Sequence, residues 1–275
     1  MKTLKSIFSF YVNSSIHVAL AVTSLVKLTF LKFEILGGDA YIYFSFVGAI
    51  VAYNFVKYAN ISELYHRRLT KSMTGIKILT AVCAIIFLYF GYQLSIDTLI
   101  WMLPFVLLTI LYAVPIFPNK KNLRSVAGIK IFIIGVTWTG ITVLIPIIYA
   151  EGGLEFNMII EIIQRFLFVV VIMLPFEIRD LEYDGKELET IPQKIGITRT
   201  KVFGSILLVV FLLITVFKGE LFSTEILSTV SVTIISLLFL WGTDKKQSEY
   251  FCSFWVESIP IMWLFIWVLM QNLFG

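Results

Sequence analysis

The chain has 275 residues, of which 59% are hydrophobic, 16% aromatic and only 15% charged, with a formal net charge of +4 and a mean hydropathy of +0.91. That composition excludes a soluble enzyme and places the chain among polytopic membrane proteins. The positive surplus sits in alternate connections between apolar runs, so it needs no nucleic-acid partner to explain it.

Apolar runs lie near 14–31, 39–56, 76–94, 98–117, 129–149, 157–176, 203–217, 224–241 and 253–273. Each is near the length a helix needs to cross hydrocarbon, which predicts eight or nine spans, the run at 203–217 being the shortest. Lys2 and Lys5 precede the first run, but Asn13, Ser14, Ser15 and His17 interrupt it and no cleavage site follows. It reads as the first span and not as a signal peptide.

The second run ends in Tyr53-Asn54-Phe55-Val56-Lys57, and the connection after it carries Arg67, Arg68 and Lys71. The fourth run ends at Tyr112 and Pro115, ahead of Lys120, Lys121 and Arg124. Thr137, Trp138 and Thr139 make a polar patch in the fifth run, and Glu257 and Ser258 stand before Pro260 in the last. Polar groups inside spans face protein or a cavity, either as ligand contacts or as hydrogen bonds between helices. Pro104, Pro146, Pro175 and Pro260 are each able to kink a helix and free carbonyls, and a bend at Pro175 would aim Glu177 and Asp180. Cys83 and Cys252 read as packing residues, too far apart in topology to pair.

Lys and Arg cluster in alternate connections, which predicts a cytoplasmic N-terminus, a C-terminus outside, and all the long polar loops on the cytoplasmic face. Lys27, Lys32 and Arg165 run against that trend. With no internal repeat and no low-complexity linker, residues 1–275 read as a single integral membrane domain.

Between the sixth and seventh runs lies the most informative stretch, Phe176 to Gly196, which holds six carboxylates in an otherwise apolar chain. Glu177, Asp180 and Asp184 fall at i, i+3 and i+7, on one face if the helix continues through them. Such a row repels itself unless a cation intervenes. Mg²⁺ takes oxygen ligands and commonly uses one or two carboxylates plus substrate phosphates, so the spacing suggests a metal-pyrophosphate site at a membrane edge. The plainer reading is a solvated acidic loop.

Arg179-Asp180-Leu181-Glu182-Tyr183-Asp184-Gly185-Lys186, with Thr190-Ile191-Pro192 and Lys194-Ile195-Gly196 after it, resembles the second aspartate-rich motif of the UbiA family of intramembrane prenyltransferases. The resemblance implies an all-α fold of about nine transmembrane helices around a central cavity. It also implies that Asp180 and Asp184 hold Mg²⁺ and, through it, the diphosphate of a polyprenyl donor. The family's first motif, NxxxDxxxD, is matched only at Asn54, because Tyr58 and Ser62 stand where its aspartates belong. Asn54 is therefore carried as an assisting ligand. Cations are one replacement for a missing metal, with Lys57, Arg67, Arg68, Lys120, Lys121, Arg124 and Lys186 as the pool of diphosphate contacts. Asn60 or Glu63 as an oxygen ligand is the other, and anchoring at the cytoplasmic face is the plain alternative for any one cation.

The implied reaction moves a polyprenyl group from its diphosphate to a small aromatic or lipophilic acceptor within the membrane, and the expected location is the inner, cytoplasmic membrane. The alternative is a catalytically degenerate relative that binds an isoprenoid or lipid as part of a membrane complex. A transporter is the third class, and no broken-helix pair in matching halves recommends it.

Overall fold

A computed structural model describes residues 2–58, 73–116, 118, 122–150, 153, 155–218 and 223–274. They are almost wholly helical: α1 (Lys2–Asn13), α2 (Ile16–Lys32), α3 (Asp39–Tyr58), α4 (Met73–Tyr92), α5 (Ile96–Ala113), α6 (Lys130–Thr139), α7 (Ile145–Tyr149), α8 (Phe156–Asp180), α9 (Ile191–Ile195), α10 (Ile197–Ile214), α11 (Ser223–Gly242) and α12 (Ile259–Phe274). Among the described residues eight helices are long and apolar enough to cross a membrane, or nine if α1 and α2, bent by 55°, count as one broken span. The expectation of eight or nine spans holds.

The helices close a ring in the order α2, α12, α11, α10, α8, α6, α5 and α3, with α4 packed outside α3. Burial is uneven among them. In α8 67% of the span window is buried, against 11% in α4, so α8 is central while α4 presents Ile78, Val82, Ile85 and Leu88 outward. The main core gathers Leu25 and Leu28 of α2, Phe168 to Leu174 of α8, Phe211 of α10 and Trp263 of α12.

Two local departures from straight helices have visible causes. Ser15 breaks α1 from α2 with a left-handed φ of 66°, a costly conformation for a residue with a Cβ. Its Oγ donates to Asn54 Oδ1 at 2.8 Å and accepts from Lys57 Nζ at 2.9 Å, which holds the break in place. The fifth apolar run contains a π-helical turn, Gly140–Leu144, between α6 and α7. Pro146 has no N–H to offer the carbonyls one turn before it. Those carbonyls are used elsewhere: Thr142 O accepts from Thr29 Oγ1 at 2.6 Å, and Ile141 O accepts from the Tyr41 hydroxyl at 2.6 Å. A second π turn, Phe251–Val256, precedes α12. Pro175, by contrast, lies within a continuous α8.

The short run at 203–217 gains its length from its polar start. α10 begins at Ile197, and with the 3-10 turn Thr215–Phe217 the span reaches 21 residues. Lys32 and Arg165, which opposed the charge trend, are buried inside the bundle in ion pairs and not in a connection.

Candidate functional site

α8 delivers the acidic row. Tyr183 and Asp184 both donate their backbone N–H to the Asp180 carbonyl, at 2.9 and 2.8 Å, so the last helical turn closes over Asp180. The loop beyond is pinned. Gln193 Nε2 donates to the carbonyls of Asp184 and Gly185, its Oε1 accepts from the Thr190 N–H at 2.9 Å, and Gly128 N–H donates to Leu188 O at 2.8 Å. Glu189 takes the left-handed φ of 43° that turns the chain into α9.

Each aspartate has a cation against it. Arg179 grips Asp180 with two bonds, Nε to Oδ1 at 2.7 Å and Nη2 to Oδ2 at 3.1 Å, and its guanidinium lies 5.1 Å from the Phe176 ring. Lys130, the first residue of α6, places Nζ 2.9 Å from Asp184 Oδ2. Glu177 is buried, and its Oε2 has no hydrogen-bond partner. The buried Tyr112 at the end of α5 stands in electrostatic range of Arg124, Lys130, Asp184 and Glu177. Arg124 is held there by a 3-10 turn, Leu123–Ser125, capped by Asn122, whose Nδ2 also donates to Ala113 O at 3.3 Å.

The structure thus brings Asp180, Asp184 and Arg124 together with Glu177, Tyr112 and Lys130. Lys186 is exposed on the same loop. Asn54 and Lys57 form a second group. Asn54 accepts from Ser15 and donates to Ser14 O at 3.0 Å and Thr80 Oγ1 at 2.9 Å. Lys57 donates to Ser15 and lies 5.9 Å from the Tyr53 ring. Tyr58, at the family's aspartate position, donates its hydroxyl to Asn13 O at 2.8 Å. Arg67, Arg68, Lys120 and Lys121 lie outside the described residues, as do Asn60, Ser62, Glu63 and Lys71.

Lys130 and Tyr112 were not legible as site residues: a lysine at the start of a span looks like any interfacial anchor, and a tyrosine at the end of one looks like belt. The polar groups noted inside spans are mostly bonded between helices. His17 Nε2 lies 2.9 Å from Phe254 O and 3.1 Å from Ser258 Oγ, and its Nδ1 lies 2.8 Å from the Tyr11 hydroxyl. Trp138 Nε1 donates to the Tyr53 hydroxyl at 2.8 Å.

No family model matches the sequence, and no curated protein matches it. Two solved structures do match. A UbiA homolog from Aeropyrum pernix K1 superposes with a TM-score of 0.68 at 12% identity, over 94% of this chain and 98% of that one. The chain has a UbiA-like fold. A digeranylgeranylglyceryl phosphate synthase matches with a TM-score of 0.56 at 18% identity, over 100% of this chain and 99% of that one. Identities this low speak for the fold alone. Among the described residues no three His, Cys, Asp or Glu side chains form a group able to hold a metal ion. The residues present still fit Mg²⁺ shared with a phosphate ligand, which needs only one or two carboxylates from the protein, and Glu177 Oε2 adds a buried oxygen without a partner beside them.

Proposed function

We propose that this UbiA-like protein transfers a polyprenyl group from a polyprenyl diphosphate to a small aromatic or lipophilic acceptor within the membrane. The observation that carries the reading is the pair Asp180 and Asp184, set on a helix end and each already matched to a cation. Asp180 and Asp184 would hold Mg²⁺, which when bound neutralises diphosphate charge and eases its departure. Asn54 joins those ligands through Oδ1 only by releasing the Ser15 hydroxyl.

Lys130 is the pivotal cation. A phosphate oxygen arriving beside Asp184 meets an ammonium already held by the start of α6, with Arg124 and the Tyr112 hydroxyl nearby. Lys57, Arg67, Arg68, Lys120, Lys121 and Lys186 complete the pool of diphosphate contacts. Breaking the C–O bond sends its electron pair to the diphosphate and leaves an allylic cation. The acceptor then bonds to that carbon and loses a proton. Aromatic faces and the exclusion of water by the apolar bundle favour this over hydrolysis. We place the site on the cytoplasmic face of the inner membrane, from the distribution of Lys and Arg.

A specific observation favours a second reading, ligand binding without turnover: Asn54 and Tyr58, at the first-motif positions, are engaged in ties between helices. Equilibrium binding of a labelled polyprenyl diphosphate to the purified protein, with and without Mg²⁺, tests the shared premise. Binding that requires Mg²⁺ and is lost in Asp180→Asn/Asp184→Asn supports both readings, and Mg²⁺-independent binding of equal strength in the variant refutes both.

A further inference from the structure

At the other end of α8, five ionisable side chains meet inside the protein. Glu161 Oε2 lies 2.9 Å from Lys32 Nζ and 2.8 Å from Lys218 Nζ, and Glu161 Oε1 lies 2.8 Å from Arg165 Nη2. Glu225 Oε1 lies 3.0 Å from Lys32 Nζ and 2.7 Å from Lys218 Nζ. Nineteen residues of helix separate Glu161 from Asp180, about 28 Å at 1.5 Å per residue, so this cluster is remote from the aspartate loop. Burial alone would lower the Lys218 pKa, but Glu161 and Glu225 together raise it above the ordinary lysine value. Three basic side chains face two carboxylates, so with all five ionised one positive charge is left over in a buried place, which is costly unless matched.

A second observation points the same way. Arg165 Nε, Trp263 Nε1 and Trp267 Nε1 are buried N–H donors with no acceptor. All three belong to this cluster: Lys32 Nζ lies 4.9 Å from the Trp263 ring and 5.2 Å from the Trp267 ring, and Arg165 Cζ lies 5.3 Å from the Trp263 ring. Unanswered donors beside an unmatched positive charge call for an anionic oxygen, since water would satisfy the donors and leave the charge. Lys218, Glu225 and Trp267 keep 7–8% of their surface exposed, which gives the cluster an edge that a ligand can reach.

We propose that this cluster binds one singly charged oxyanion group, a phosphate ester or a carboxylate, at the end of the bundle opposite the aspartate loop. Lys32 and Lys218 supply the charge, and Arg165, Trp263 and Trp267 supply the directed donors. The shared chemistry admits two sources, an anionic lipid headgroup or a small oxyanion from solution.

The test uses the full chain in detergent without Mg²⁺, with binding read by native mass spectrometry and thermal unfolding against phosphatidylglycerol, phosphatidylcholine and inorganic phosphate. Retention of phosphatidylglycerol but not phosphatidylcholine assigns the site to a lipid headgroup, and stabilisation by phosphate assigns it to a soluble anion. In either case Trp267→Phe, which keeps the ring and removes the donor, weakens binding roughly ten-fold, and Lys218→Gln abolishes it. The Asp180→Asn/Asp184→Asn variant binds as the wild type does, which separates this site from the aspartate loop. Binding no stronger than to phosphatidylcholine, or binding unchanged in Trp267→Phe, overturns the proposal. If Lys218→Gln does not fold, Trp267→Phe decides alone.

Discussion

Lys130 Nζ lies 2.9 Å from Asp184 Oδ2 and so joins the first turn of α6 to the loop after α8. The side chains are 11% and 3% exposed, so water does little to screen them. Removing the lysine strands a carboxylate. Lys130→Met is expected to destabilise the protein by about 2–3 kcal/mol, and its cycle with Asp184→Asn to show a coupling of about 1–2 kcal/mol, read from denaturant unfolding in micelles. Additive single effects would mean that the pair contributes nothing.

The buried cluster around Glu161 predicts a sharp contrast with a surface pair. Glu161 faces Lys32, Arg165 and Lys218 with no exposure of its own, and Glu161→Gln is expected to cost about 3–5 kcal/mol. Glu189 and Lys194 form an ion pair at 2.6 Å with both side chains more than half exposed. Glu189→Gln is expected to cost under about 1 kcal/mol in the same assay.

Gly140 sits where α5 crosses the π turn, and a Cβ there would run into the Phe105 ring. Gly140→Val is expected to destabilise by about 1–3 kcal/mol through overpacking. At Gly153 a Cβ meets nothing within 4 Å, and Gly153→Val serves as the control, with an unfolding midpoint close to wild type.

Asn54 satisfies three partners in the helix packing, so Asn54→Ala is expected to lose about 2 kcal/mol of stability. The same variant separates a tie from a ligand. A Mg²⁺ half-saturation for diphosphate binding that stays within a few-fold of wild type assigns Asn54 to the tie, whereas a shift of ten-fold or more, about 1.4 kcal/mol, assigns it to the metal.

The span count and the acidic row were legible because hydropathy and i, i+3, i+7 spacing are local signals. The same locality hid the rest. Lys130 becomes a site residue only when α6 packs on α8. Glu161, Gln164 and Arg165 stand at i, i+3 and i+4 inside an apolar run, a polar stripe that marks a buried face, but their partners Lys32, Lys218 and Glu225 are distant in sequence. Gln164 itself reaches across to α10, donating to Phe211 O at 2.9 Å. The helix before Ser14 was also missed, because its break depends on Ser15 contacting Asn54 and Lys57 of α3.

The most direct measurement is release of diphosphate from a polyprenyl diphosphate by the purified protein, followed as Mg²⁺ is added, in wild type and in Asp180→Asn/Asp184→Asn. The account predicts Mg²⁺-dependent release by the wild type and a loss of at least about a hundred-fold in the variant, in keeping with removal of the groups that neutralise a leaving charge. Equal release by both proteins, or none by a wild type that binds the donor across several chain lengths and acceptors, would contradict it.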